Sequence, residues 1–101
     1  MSLFEIDYSN NLYYFTLQDD YREILIRSKG YIQKQSCKDG IHSVIVNIGL
    51  DARIKREKIK EESYIFSVIA INGKEVARSK EYTSLEALEN GLNYIRSLFE
   101  D

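Results

Sequence analysis

Chemistry in this 101-residue chain has to come from a small set of side chains. Its one cysteine, Cys37, and its one histidine, His42, are five positions apart. On a helix turning about 100° per residue they sit roughly 140° from each other and form no thiolate–imidazole pair. Cys37 falls on an apolar stripe, where a thiol acts as a small core residue; a reactive one needs an exposed, electropositive setting. His42 lies off the stripe, with Lys38 and Asp39 one turn earlier, and reads as part of a solvated helix face. The carboxylate pairs Asp19-Asp20 and Glu61-Glu62 fall in expected turns, where acidic residues are ordinary. There is no Cys-x-x-Cys pair, histidine cluster, Gly-rich phosphate loop or Gly-x-Ser-x-Gly elbow. No catalytic set, metal or cofactor is expected, and the chain does not read as an enzyme.

Three constellations remain for binding. Arg27-Ser28-Lys29, with Tyr31 two residues on, recurs as Arg78-Ser79-Lys80 with Tyr82. At symmetric strand ends these groups would offer paired cations and aromatic rings to a small anionic ligand or a single-stranded nucleic acid. The simpler account has Ser28 and Ser79 bonding the chain where it leaves the strand, the tyrosines packing and the basic groups solvated. The second constellation is residues 53–60, Arg-Ile-Lys-Arg-Glu-Lys-Ile-Lys, the densest basic stretch. It suits phosphates, but lysines on an edge strand also prevent sheet-to-sheet aggregation, which is the favoured reading. The third is an outer sheet face. If Tyr13, Phe15 and Leu17 face the core, alternation turns Leu12, Tyr14, Ile65, Ile69 and Ile71 outward, an apolar set of the kind that marks a partner surface.

The elements that position these residues come in duplicate. Tyr13, Phe15, Arg27, Ser28, Lys29, Tyr31 and Gly40 recur without a gap as Tyr64, Phe66, Arg78, Ser79, Lys80, Tyr82 and Gly91, fifty-one residues on. A constant offset over so much of the chain implies two copies of one supersecondary unit, about 1–50 and 51–101. Two cores of about 50 residues would each be marginal, so the copies are expected to share one core as a single domain.

Strands are expected over 4–8, 12–18 and 23–28, and again over 53–60, 64–71 and 75–79, from their β-branched and aromatic content. Ser9-Asn10-Asn11 suits a hairpin turn, and Asn72-Gly73 predicts a type I′ turn, whose central residues both need positive φ. Each copy then changes period. Cys37, Ile41, Val44 and Ile48, and likewise Leu88, Leu92, Ile95 and Phe99, step by four, three and four, which makes one apolar stripe per helix. Thr83-Ser84-Leu85-Glu86 reads as a capping box with Thr83 as the cap, and Gly49 as a left-handed close to the first helix. Gly40 and Gly91 lie inside the helices at about 1 kcal/mol each relative to alanine, which implies close approach of the helix backbone to the sheet.

Residues 23–31, Glu-Ile-Leu-Ile-Arg-Ser-Lys-Gly-Tyr, followed by residues 37–44, Cys-Lys-Asp-Gly-Ile-His-Ser-Val, resemble the repeat of the YegP-like family. That pattern is a strand ending in Ser-x-x-Tyr and a helix bearing Gly-Ile-x-Ser-Val; the second copy keeps Ser79-Lys80-Glu81-Tyr82 but has Gly91-Leu92-Asn93-Tyr94-Ile95 in the helix. The resemblance implies an α+β fold of tandem βββα repeats sharing one antiparallel sheet, with strands exchanged between the units and both helices on one face. It brings no established activity. Relatives tend to continue into a further exchanged strand, whereas this sequence stops at Asp101, so an open sheet edge is expected.

Bulk properties bound the function. The net charge of −2, with both signs mixed through a 30% charged chain, argues against a nucleic-acid partner. One cysteine excludes an intrachain disulfide and fits a reducing, cytoplasmic setting. No signal-like segment or apolar run near 20 residues is present, so no membrane association is expected. Two readings follow. The first is a small non-enzymatic protein-interaction module, homo-oligomeric or with another protein, acting through the sheet edge or outer face. The second is a binder of a small anionic ligand or nucleic acid through the duplicated Arg-Ser-Lys-x-Tyr elements.

Overall fold

The computed structural model describes residues 3–100. Its element order is β1 (Phe4–Ser9), β2 (Leu12–Gln18), β3 (Ile24–Ser28), α1 (Lys34–Asn47), a 3-10 turn (Asp51–Arg53), β4 (Ile54–Lys60), β5 (Ser63–Ile69), β6 (Glu75–Ser79) and α2 (Leu85–Ser97). All six strands form one antiparallel sheet in the order β1-β2-β3-β6-β5-β4. The fold is therefore α+β, with a six-stranded antiparallel sheet and two helices.

Strand exchange does not occur among the described residues. Each half contributes three consecutive strands, and the halves meet at the β3–β6 seam, where Arg27 is opposite Arg78. Short loops explain this order, because two- and five-residue connections keep successive strands adjacent. What crosses the seam is a helix: α1 touches β2, β5 and β6. The chain end at Asp101, on which the reading of an open edge rested, lies outside the described residues.

The face bearing Phe15, Leu17, Ile26, Phe66 and Val68 is buried under the helices, with Cys37, Val44, Ile48, Leu88, Leu92 and Ile95 as the facing stripe. Ile41 and Phe99, the other expected stripe positions, are half-buried. Gly40 and Gly91 are where each helix touches a tyrosine. A Cβ at Gly40 would lie 2.5 Å from the Tyr31 hydroxyl, and one at Gly91 2.5 Å from two ring carbons of Tyr82. Close approach to the sheet is thus approach to a ring, and each ring is stacked in turn on Phe15 or Phe66.

Three local expectations are corrected. At Asn72-Gly73 only Gly73 has positive φ, 85°. Gly73 N donates to Ala70 O and Lys74 N to Asn72 Oδ1, so the loop is a three-residue turn ending in a left-handed residue. Arg22, at φ 64°, holds the matching place in the β2–β3 loop. The pair with two positive φ values is Asn10-Asn11, at 53° and 65°, in the β1–β2 hairpin. Second, the α2 cap is Ser84, whose Oγ accepts from Ala87 N at 3.0 Å. Tyr82 is still bonded to Tyr64 across the sheet, and Thr83 is consumed in turning the chain from that bridge into the helix. Third, Gly49 has no positive φ. The end of α1 is closed instead by Arg96 Nε, donating to Ile48 O at 2.8 Å, so no left-handed cap is needed.

Candidate functional site

Strand alternation and register put Arg27 and Arg78 side by side on the face away from the helices. Thr16, Arg27, Arg78 and Ser67 form one row across β2, β3, β6 and β5. Around the arginine pair is an open depression of about 280 Å³, lined by Ile24, Arg27, Ser28, Lys29, Glu75, Arg78, Ser79 and Lys80. The two Arg-Ser-Lys elements, fifty-one residues apart in sequence, converge on one place because β3 and β6 are the seam strands.

Within the elements, the residues divide by role. Ser28 Oγ accepts from the buried Phe15 N at 2.9 Å and donates to Lys29 O at 2.8 Å; Ser79 Oγ does the same with Phe66 N and Lys80 O, at the same distances. Both hydroxyls are spent on the backbone. Tyr31 and Tyr82 turn toward the helices, pinned by Gly40 and Gly91, and burial pushes both phenols above their ordinary range. They do not join the depression. The cations do, but unequally. Arg78 donates twice to Glu75, at 3.1 and 3.2 Å, which holds the guanidinium more firmly charged. Burial pushes the Glu75 carboxyl up, but hydrogen bonds from Arg78 and Ser67 and the charges of Arg78 and Lys55 outweigh it and hold it below the usual range. Lys80 pairs with Glu23 at 3.1 Å. Lys29 lies over the Tyr31 ring, 5.6 Å from its centroid.

Arg27 has no carboxylate partner among the described residues. The position fifty-one before Glu75 is Ile24, so the clamp on Arg78 has no equivalent here. The sequence-based reading named the four cations but missed Glu75, Glu23 and Ile24, the residues that decide which cation is free. Comparing positions 24 and 75 at the constant offset would have found the difference.

A family model described as a domain of unknown function, DUF1508, matches residues 9–54. A UPF0339 protein of Bordetella pertussis is 37% identical over 94 residues, spanning 93% of this chain and 85% of the relative. The chain belongs to the YegP-like, or UPF0339, family. A Shewanella oneidensis UPF0339 protein solved by NMR superposes with a TM-score of 0.87 at 29% identity, covering 96% of this chain and 84% of that one. The Escherichia coli protein of unknown function yegP also superposes at 0.87, with 24% identity over 97% of this chain and 85% of that one. Membership of the YegP-like family accounts for the six-stranded sheet and its two helices, and it brings no biochemical role with it.

The other sequence-derived candidates are dispersed over this YegP-like fold. Cys37 is fully buried, and burial pushes its thiol up. His42 is exposed on α1. In β4, an edge strand, Arg56 turns toward α2 and is bound bidentately by Glu89 and by Asp51 at 2.8 Å, while Lys58 pairs with Glu61. The basic stretch is thus partly neutralised from within. Of the outward apolar set, Leu12, Tyr14 and Ile69 are half-buried, Ile65 is 2% exposed, and Ile71, at 84%, lies in the turn beyond β5. No helix is long and apolar enough to cross a membrane among the described residues.

Proposed function

We propose that the protein binds a small anionic ligand on the open face of its sheet, over the β3–β6 seam, and acts without catalysing a reaction. The observation that carries this reading is the convergence of four cations on one depression in which Arg27 is left unpaired. A free guanidinium beside a second, pre-oriented one is suited to phosphate or carboxylate oxygens. In this reading the chain is a duplicated βββα unit whose second copy has lost the free cation to Glu75. A nucleic-acid ligand has less support, because the chain's net charge is −2 and the basic β4 is internally paired. A protein-interaction module acting through the outer face also has less support, since Ile65 is covered and Ile71 is off the sheet.

Titration of isotope-labelled protein with inorganic phosphate and pyrophosphate, followed by amide NMR, tests the reading. Saturable shifts centred on Arg27 and Arg78, weakened by salt and lost in Arg27→Ala, are the expected result. Unchanged spectra at millimolar anion and low salt, or the same shifts in Arg27→Ala, would overturn it.

A further inference from the structure

Resting on that reading, we infer that the ligand is a phosphate monoester of a hydroxyl-bearing ring, bound on the β2 side of the β3–β6 seam: phosphate at Arg27, ring beside Tyr14. Two depressions share Arg27 and Ser28. The second, of about 310 Å³, is otherwise lined by Asp7, Ser9, Asn10, Tyr14 and Thr16. Each alone is at or below the lower end of ordinary ligand pockets, about 300 Å³; joined at Arg27 they suit a ligand of sugar-phosphate or nucleotide size.

The chemistry of the second depression is opposite to that of the first. It holds an exposed carboxylate, Asp7, with the amide of Asn10 and the hydroxyl of Ser9 at the β1–β2 hairpin. Asp7 accepts hydrogen bonds from ligand hydroxyls and repels a second anionic group, so a bound ester has one orientation. Tyr14 supplies a fixed ring wall. A Cβ at Gly30 would come within 3.1 Å of the Tyr14 ring and closer still to Leu12, so the glycine is what lets the ring lie where it does. Across the seam this arrangement is not repeated: Tyr14 is matched by Ile65, which is buried, and Ser67, the match of Thr16, is engaged by Glu75. Glu75 also repels phosphate from the Arg78 side of the seam, whereas Ile24 at the matching position carries no charge. Both differences push the ligand toward β2.

Binding of inorganic phosphate, ribose 5-phosphate, adenosine monophosphate and adenosine to the whole chain tests this, with wild type, Asp7→Ala and Asp7→Asn compared. Either monoester is expected to bind about tenfold more tightly than inorganic phosphate, the gain of one or two charged hydrogen bonds. Both Asp7 variants should lose that tenfold, while the affinity for inorganic phosphate holds or rises because a carboxylate near Arg27 has been removed. The ribose and adenosine esters separate a sugar site from one that also reads a base, and a tenfold gain for either supports the inference. Monoesters no tighter than phosphate, an advantage that survives both Asp7 variants, or adenosine binding as well as its phosphate would overturn it while leaving the anion site standing. No binding of any phosphate would overturn the anion site and this inference together.

Discussion

Alanine at Gly91 tests how the helices are seated on the sheet. Two effects oppose each other. Alanine in a helix interior is favoured over glycine by about 1 kcal/mol. Against this, the new Cβ would lie 2.5 Å from two ring carbons of Tyr82 and closer still to its hydroxyl. Tyr82 is 8% exposed and stacked on the fully buried Phe66, so its ring cannot swing aside without repacking the core. Overpacking of this kind costs about 1–3 kcal/mol, and a clash with a ring body belongs at the upper end. The net expectation for Gly91→Ala is a loss of about 2 kcal/mol, or a fall in Tm of about 10 °C in a domain of this size.

Gly40 supplies the control. There the nearest atom is the Tyr31 hydroxyl at 2.5 Å, while the ring carbon and Phe15 are at 3.0 Å. Removing the hydroxyl relieves most of the clash. In urea denaturation, Gly40→Ala should cost about 1 kcal/mol in the native background and close to nothing in Tyr31→Phe, a coupling of about 1 kcal/mol. Tyr82→Phe should rescue Gly91→Ala only weakly, because the ring carbons remain. A neutral or stabilised Gly91→Ala, or equal rescue at both sites, would refute the argument that ring contact fixes these glycines.

Three further outcomes follow from the hydrogen bonds and charges. Ser79→Ala should cost about 1–3 kcal/mol by leaving the buried Phe66 N–H without its acceptor, with faster hydrogen exchange at that amide; Ser28→Ala should do the same at Phe15. Ser84→Ala should cost about 1 kcal/mol by loss of the cap bond to Ala87 N, and Thr83→Ala only a few tenths, in thermal melts. The Glu75 carboxyl is held below its ordinary range in the folded state, so its contribution is present above its unfolded pKa and lost as pH falls through the lower folded value. Denaturation midpoints measured from pH 7 down to pH 3 should therefore fall less steeply for Glu75→Gln than for the native chain.

The strands and helices were legible because their signals are local and doubled. The bounds of 12–18 and 75–79 match β2 and β6, and the apolar steps from Cys37 and Leu88 mark the buried stripes. What failed was decided by contacts outside the motif itself, some of them distant in sequence. Gly49 seemed to need a left-handed conformation because nothing local caps α1, yet the cap is Arg96, 48 residues away from Ile48. Thr83 looked like a cap because its tie to the sheet runs through Tyr82 and Tyr64. Asn72-Gly73 carried the dipeptide of a two-residue turn, but Ala70 and Lys74 bond across a three-residue loop and set the register there. In the site, the cations were visible as a repeated motif. Their state of pairing was legible only in part: Glu75 is three residues from Arg78, but Lys80 is neutralised by Glu23, 57 residues away.

Equal residues at equal positions argue for architecture more than for ligand binding. Ser28 and Ser79 make the same two bonds, and Tyr31 and Tyr82 fill the same gap above a glycine. Function is better sought where the matched positions part. Two such partings fall within reach of Arg27: Ile24 against Glu75, which leaves Arg27 free while Arg78 is clamped, and Tyr14 against Ile65. A single divergence of this kind would be unremarkable for exposed residues. Together they uncover one cation, furnish a ring beside it and place a carboxylate where a second anion would approach Arg78. Stability does not require that arrangement. An unpaired guanidinium opposite another one on the same face is a like-charge pair, which costs stability in a sheet. Glu at position 24 would relieve it just as Glu75 does on the other strand. That Arg27 stays unrelieved is the strongest physical reason to look for an anion there.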